Sequence, residues 1–164
     1  MDHLTAQSIF KEIQDRPYRL SVVPDDHAQN CFFKNIELIQ QLGILGYTVR
    51  GRLADTYWNP EIFPKEILDL QPDTMPDKHF YAEIFLDNEW RILDPSFQPS
   101  LEQYGFVIGS WDNGESCFPL TKIYTQEEEI AFQKKWSEPA YINQVYQNSE
   151  KFWKALDHWF SKRS

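Results

Sequence analysis

Residues 29–43 read QNCFFKNIELIQQLG and carry a clear helical pattern. Asn30 is a favoured N-cap residue, and Gly43 is of a type that commonly follows the end of a helix. The apolar residues between them recur at steps of three and four, as on one face of a helix: Phe32, Ile36, Leu38, Ile39 and Leu42. The pattern predicts an amphipathic helix whose first turn contains Cys31.

Cys31 would lie in an unusual environment at the start of this helix. Unpaired backbone N–H groups and the positive end of the helix dipole both favour a thiolate over a thiol. A free cysteine is more commonly a small buried apolar residue, so a catalytic interpretation needs a base and an orienting group elsewhere in the chain. The sequence offers His79 and Asp94 for those two roles.

Residues 79–95 predict a β-hairpin, because strand-like runs lie on both sides of Asp87-Asn88, two residue types that tolerate positive φ. With that two-residue turn, Tyr81 lies opposite Asp94. His79 then becomes the diagonal neighbour of Asp94 on the same face of the sheet. An imidazole–carboxylate hydrogen bond is within reach in this register.

Cys31, His79 and Asp94 supply the three roles of thiol catalysis: a nucleophile, a base to take its proton, and a carboxylate to orient the base. His27 precedes Cys31 by four residues, but a loop histidine is more commonly solvated. The same side chains could bind zinc. The chain has no close ligand pair of the Cys-x-x-Cys type, however, so we predict neither a metal nor a cofactor.

The constellation resembles the transglutaminase-like superfamily of papain-fold thiol enzymes. The resemblance implies that Cys31 is the nucleophile, that His79 is the general base and acid, and that Asp94 orients the histidine. It also implies an α+β papain/transglutaminase-like core, in which the cysteine helix packs on an antiparallel β-sheet. The resemblance spans residues 30–96 and depends on four motifs in this order. The first two are Cys31 with its helix, which ends in Leu42-Gly43-Ile44, and the strand 47–51. The last two are His79 at the start of a strand that carries Glu83, and residues 90–96 around Asp94.

Two alternatives stay open. The chain is also similar to the arylamine N-acetyltransferases, which use the same triad, in the aromatic residue after Cys31, the Leu42-Gly43 turn and the run Gly51-Arg52-Leu53. A catalytically inactive descendant could instead keep the fold and bind a peptide in its groove.

The predicted activity is attack of Cys31 on a carboxamide or peptide carbonyl, giving a thioester that water or an amine resolves. The enzyme would be a cysteine hydrolase or an acyltransferase, with a peptide or protein substrate, for example one containing glutamine. The backbone N–H of Cys31 is the first predicted oxyanion donor, and Gln29 or Tyr81 the second. Trp58 and Tyr81 are predicted to contact the substrate, because the proline-rich stretch after Trp58 is typical of a groove wall.

Composition limits the remaining function classes. The chain has 164 residues and a formal net charge of −9, so it lacks the basic surface that nucleic acids require and would be repelled by an anionic membrane. Its two cysteines do not make a disulfide framework, and its N-terminus lacks the basic and apolar regions of a secretion signal. We therefore predict a single domain, residues 1–164, in the reducing cytoplasm.

The C-terminal flank, about 125–162, is predicted to be helical. Thr125 and Glu128 form a capping-box pattern at the start of one helix, and a second helix is predicted from about Ser149. We expect the apolar face of the second helix to dock on the sheet, with a homodimer contact as the alternative. Five residues form that face: Phe152, Trp153, Leu156, Trp159 and Phe160.

Two further segments carry local patterns. Residues 18–23 alternate like a strand, and residues 106–120 contain an Asp112-Asn113-Gly114 turn that predicts a second short hairpin. Cys117 lies in that segment with no histidine near it in the sequence, so we expect it to be buried as a space-filling residue.

Overall fold

A computed structural model describes residues 3–23, 28–72 and 77–163. Within these residues the fold is α+β, which confirms the predicted class. The elements follow in the order α1 (His3–Asp15), α2 (Cys31–Ile44), β1 (Val49–Thr56), α3 (Lys65–Leu68), β2 (Asp77–Leu86), β3 (Glu89–Leu93), a 3-10 helix (Pro99–Tyr104), β4 (Lys122–Ile123), α4 (Gln126–Trp136) and α5 (Pro139–Ser161).

The four strands form one antiparallel sheet in the order β3-β2-β1-β4. The predicted hairpin joins β2 to β3, with Leu86 paired to Glu89 across a turn in which Asp87 and Asn88 have φ values of 53° and 67°. Both turn residues therefore adopt the left-handed conformation that a tight two-residue hairpin loop requires. The register deduced from the turn is confirmed.

Helix α2 begins at Cys31, as its N-terminal pattern predicts. The side chain of Asn30 accepts hydrogen bonds from the backbone N–H groups of Phe32 and Phe33, at 3.0 and 3.2 Å. The C-terminal prediction is less accurate, because Gly43 lies inside the helix. The left-handed residue after the helix is Gly46, at φ 87°. The N-cap thus places Cys31 in the first turn of α2.

The apolar residues form two separate clusters. The helix–sheet core joins α1 and α2 to one face of the sheet and contains Ala6, Phe10, Ile13, Leu38, Leu42, Tyr47, Ala82, Ile84 and Leu93. The aromatic core is built from the loops and α5, and Cys31 packs against its edge. It contains Tyr18, Leu20, Trp58, Phe63, Phe97, Leu101, Phe106, Cys117, Phe118, Phe152, Leu156, Trp159 and Phe160.

Helix α5 starts ten residues earlier than its apolar pattern suggests, at Pro139 rather than Ser149. A proline commonly marks the end of a helix, but its fixed φ also suits the first turn of a new one. Phe152, Leu156 and Phe160 are buried in the aromatic core. The chain itself covers these three residues, and the homodimer contact stays a prediction.

None of the helices in the described part of the chain combines the length and the apolar character needed to cross a membrane.

The strand predicted for residues 18–23 is wrong. The backbone N–H of Tyr18 donates to Gln98 Oε1 at 2.9 Å, and that of Leu20 donates to Asp157 Oδ1 at 3.0 Å. These two partners are side chains far away in the sequence, while the backbone N–H of Arg19 donates to the backbone oxygen of Gln29 at 3.2 Å. Within the described residues the segment forms no strand. It crosses the aromatic core as an extended connection.

The hairpin predicted across residues 106–120 is also wrong, although a turn does form at residues 111–113. The chain on either side of the turn does not pair. Instead it packs against Asp94, at the end of β3, through Gly109 and Cys117. The predicted burial of Cys117 is confirmed.

Truncation of the α5 face should destabilise the protein strongly. Phe160 is completely buried, and Phe160→Ala should lower the free energy of unfolding by about 3–5 kcal/mol because it leaves a cavity in the aromatic core. Ile130 on α4 is 59% exposed, so Ile130→Ala should change stability by only about 0.5 kcal/mol or less. Urea unfolding of both variants measures the contrast. Equal losses would contradict the assignment of α5 to the core.

Candidate active site

Cys31 lies at the N-terminus of α2, half-buried at the edge of the aromatic core. The Asn30 cap binds the N–H groups of the two residues after Cys31. The first turn of a helix concentrates backbone dipoles that stabilise a negative charge on a side chain there. Local structure therefore gives Cys31 a fixed position in the first turn of α2.

His79 and Asp94 meet as the hairpin register predicts. His79 Nε2 lies 2.7 Å from Asp94 Oδ2, and both side chains are fully buried. The imidazole also packs on the rings of Phe118 and Tyr81, with centroids 4.5 and 5.7 Å away. The hydrogen bond between His79 and Asp94 is therefore shielded from water, and aromatic contacts hold the imidazole ring in place.

The second nitrogen of the imidazole is the one available to the thiol. His79 Nδ1 is buried and has no hydrogen-bond partner of full geometry among the described residues. Burial lowers the pKa of His79, but the charge and hydrogen bond of Asp94, together with the nearby Cys31 thiol, raise it to about 9. Cys31 and His79 are therefore close enough to interact, and a protonated ring is favoured near neutral pH.

The Asp94 carboxylate is saturated with hydrogen-bond donors. Burial alone would raise its pKa, but the charge and hydrogen bond of His79, aided by further donors, hold the pKa well below its usual range. The carboxylate therefore stays ionised in a fully buried position. Six donors serve it: Ser96 Oγ, Ser96 N–H and Asn35 Nδ2 at Oδ1, and His79 Nε2, Cys117 N–H and Ser116 Oγ at Oδ2.

The segment from Gly109 to Cys117 closes the site behind Asp94. A Cβ added to Gly109 would lie 2.1 Å from the backbone oxygen of Asp94, so only glycine allows this approach. The N–H of Cys117 donates to Asp94 Oδ2 at 2.8 Å, and its thiol donates to Asp94 O at 3.3 Å. Cys117 is therefore more than the space-filling residue that the sequence suggested, because its backbone helps to hold the carboxylate.

Sequence reasoning missed Asn35, which links α2 to the rest of the site. Its Nδ2 donates to Cys31 O at 2.8 Å and to Phe80 O at 3.1 Å, and its Oδ1 accepts from Ala82 N–H at 2.9 Å. Nδ2 also lies 3.4 Å from Asp94 Oδ1. Asn35 follows Cys31 by one helical turn. A polar residue at that spacing, beside the apolar stripe of α2, is the feature of the sequence that could have indicated this role.

Lys34 is a second missed residue. Its side chain is fully buried, and Nζ donates to three backbone carbonyls, those of Gln14, Arg16 and Ser96. Burial lowers the pKa of Lys34 to about 7. The three contacts tie the end of α1 and the segment after Asp94 to α2, so Lys34 holds together the elements that carry the triad.

The structure gives less direct support for the other predicted site residues, Trp58, Gln29 and Tyr81. Trp58 is buried in the aromatic core, with its ring 5.3 Å from that of Phe118, and so reaches His79 through Phe118 rather than lining an open groove. Gln29 Oε1 and the Tyr81 hydroxyl are buried without partners among the described residues. Their roles as oxyanion donors stay predictions. His27 lies outside the described residues.

The described part of the chain contains no cluster of three or more histidine, cysteine, aspartate or glutamate side chains arranged to hold a metal ion.

Comparisons with protein-family models, with curated proteins and with solved structures gave no match to this chain. The interpretation of the site therefore depends on its own geometry and chemistry.

The raised pKa of His79 predicts a characteristic pH dependence of stability. The ordinary histidine value is 6.5, whereas folded His79 keeps its proton to about pH 9. The stabilisation from the His79–Asp94 ion pair is therefore complete below pH 6.5 and is lost as the pH rises through 9. Across that window, the stability advantage of the wild type over His79→Gln should shrink by about 1.4 kcal/mol per pH unit.

Urea unfolding of both proteins at several pH values across the window measures this advantage. The comparison cancels the effect of Lys34, whose lowered pKa acts in the opposite direction and is common to both proteins. An advantage that stays constant with pH would contradict a charged His79.

Proposed function

We propose that this protein is a cysteine-dependent hydrolase or acyltransferase that acts on a carboxamide or peptide carbonyl through a thioester on Cys31. The observation that carries the proposal is the buried hydrogen bond of 2.7 Å between His79 Nε2 and Asp94 Oδ2, with the other ring nitrogen left to the thiol at the start of α2. This arrangement suits a nucleophile, a base and an orienting carboxylate.

The reaction would begin with proton transfer from the Cys31 thiol to His79 Nδ1. The pKa of about 9 for His79 supports this step, because the ring can hold the proton at neutral pH. Asp94 keeps Nε2 in place and balances the imidazolium charge. Cys31 is then ready as a thiolate before the substrate binds.

The thiolate sulfur would attack the carbonyl carbon, and the carbonyl π electrons would move to oxygen. The Cys31 backbone N–H at the helix start is the donor that we assign to the oxyanion. As the tetrahedral intermediate collapses, the C–N bond breaks and His79 gives its proton to the departing amine or ammonia. The product is an acyl thioester with a neutral imidazole, ready to activate water or an acceptor amine.

The fold supports a papain-like or transglutaminase-like interpretation of this core. The cysteine opens a helix that packs on an antiparallel sheet, and the histidine and the aspartate come from paired neighbouring strands. On this interpretation the substrate is a peptide or protein, with a glutamine side chain as one candidate carbonyl donor. The two free cysteines suit a reducing compartment such as the cytoplasm.

An activity screen with glutamine-containing peptides, with and without a primary amine, tests the proposal. Ammonia release alone indicates an amidase, amine incorporation an acyltransferase, and backbone cleavage a protease. Cys31→Ala should lower turnover by at least about 1,000-fold, because the nucleophile is gone. Cys117→Ala is the matched control, since it removes the other thiol but keeps the N–H that binds Asp94. Full activity in Cys31→Ala would refute the thiol mechanism.

Thiol reactivity gives a test that needs no substrate. Iodoacetamide should alkylate Cys31 much faster than the buried Cys117, which mass spectrometry can resolve site by site. His79→Ala should move the pH midpoint of Cys31 alkylation upward, because the imidazolium that stabilises the thiolate is lost. Asp94→Asn should shift it less, since His79 and the helix dipole remain. Slow, equal labelling of both cysteines, insensitive to His79, would leave only a binding role for the groove.

A further inference from the structure

Asp77 occupies the first position of β2, on the same face of the sheet as His79. In the pairing of β1 with β2, Thr56 lies opposite Asp77 and Ala54 lies opposite His79. Residues two apart along a strand share a face and are separated by about 7 Å. Asp77 is therefore one side-chain position away from the proposed catalytic base.

Asp77 lacks the direct ion pair that the neighbouring acidic residues have. The other two acidic residues of β1 and β2 form ion pairs, Asp55 with Lys78 and Glu83 with Arg50. Asp77 is half-buried, and Gln71 Nε2 donates to its Oδ2 at 2.7 Å, but no lysine or arginine among the described residues forms an ion pair with it. Partial burial of a carboxylate charge costs free energy when no cation is paired with it.

An unpartnered hydroxyl accompanies this carboxylate. The Thr56 hydroxyl, directly opposite Asp77, is buried and has no hydrogen-bond partner among the described residues. Burial raises the pKa of Asp77 to about 6, and the Trp58 indole and the charge of Lys78 oppose that rise. Polar atoms left unpaired in this way commonly mark a place where a ligand or water completes the hydrogen bonds.

The Tyr18 hydroxyl experiences the charges of both the carboxylate and the proposed nucleophile. Tyr18 is fully buried, and burial raises the pKa of its hydroxyl well above the ordinary value. Negative charges on Cys31 and on Asp77 both raise it further. Cys31 and Asp77 are therefore both within electrostatic range of the Tyr18 hydroxyl.

We infer that Asp77, with Thr56 beside it, forms a subsite for a cationic group of the substrate, next to the carbonyl that Cys31 attacks. A primary ammonium or a guanidinium would supply the missing charge and form charge-assisted hydrogen bonds with the carboxylate. The net charge of −9 would steer such substrates toward the protein. The inference deepens the proposed function, since it assigns substrates with a basic side chain to the same site.

Charged alkylating probes test the subsite without a known substrate. Iodoacetamide is the neutral probe, and an iodoacetamide bearing a primary ammonium on a short alkyl chain is the cationic one. The ratio of their rates at Cys31, followed by mass spectrometry, should favour the cationic probe by about tenfold. Asp77→Asn keeps the size and acceptor of the side chain but removes its charge, so it should lower the ratio to near unity.

Asp69→Asn is the matched control, because Asp69 lies in the connection that precedes β2, has a side chain that is 59% exposed and pairs with Lys65. It removes the same unit of net charge and should leave the ratio unchanged. An unchanged ratio in Asp77→Asn, or an equal fall in Asp69→Asn, would overturn the subsite. If the proposed function itself is wrong, the result differs. Both probes would then alkylate Cys31 slowly, and His79→Ala would not change the rates.

The wild-type protein provides a second measurement in case Asp77→Asn does not fold. The groups that act on the charge of Asp77 are the Gln71 amide, which donates to it, and the Trp58 indole, the Tyr18 hydroxyl and the Lys78 ammonium. As the pH falls through about 6, Asp77 becomes neutral, so the preference for the cationic probe should disappear. Titration of the thiol and of His79 affects both probes alike and cancels in the ratio. A ratio that is constant above and below this pH would refute the role of Asp77.

Discussion

The buried carboxylate of Asp94 is the group that the surrounding structure must satisfy. An ionised side chain with no solvent contact is tolerated only where charge and hydrogen bonds replace water. The protein meets that requirement with donors from β2, α2, the Ser96 turn and the Cys117 segment. Four parts of the chain that are distant in sequence therefore converge on one carboxylate, and their convergence also sets the position of His79.

Helix α2 carries the second half of the site, and two buried polar residues fix its position. Asn35 connects the backbone of Cys31 to β2, and Lys34 connects the helix to α1 and Ser96. Such a network is stabilising only when nearly all of its members are paired, so it enforces one arrangement more strictly than apolar packing would. The thiol consequently has a defined distance and direction from the imidazole, which pre-organised catalysis requires.

The site lies where the two apolar cores meet. Cys31 and Phe118 contact the aromatic core, while Ala82 and Leu93 beside the triad belong to the helix–sheet core. The apolar surroundings exclude water and strengthen the electrostatic interactions between the charged groups. Along the same face of β2 the compensation of charge is uneven: Asp94 has an ion-pair partner in His79, whereas Asp77 has a hydrogen bond from the Gln71 amide but no ion pair among the described residues. The proposed subsite for a cationic group depends on this difference.

Local chemistry in the sequence was sufficient for the start of α2, the register of the β2–β3 hairpin and the capping box of α4, because caps and tight turns involve residues a few positions apart. The register in turn placed His79 beside Asp94. The segments 18–23 and 106–120 were misassigned, since their backbone partners come from remote parts of the chain. The roles of Asn35 and Lys34 required the tertiary structure for the same reason: hydrogen bonds between distant elements leave no periodic trace in sequence, and only the folded chain brings their donors and acceptors together.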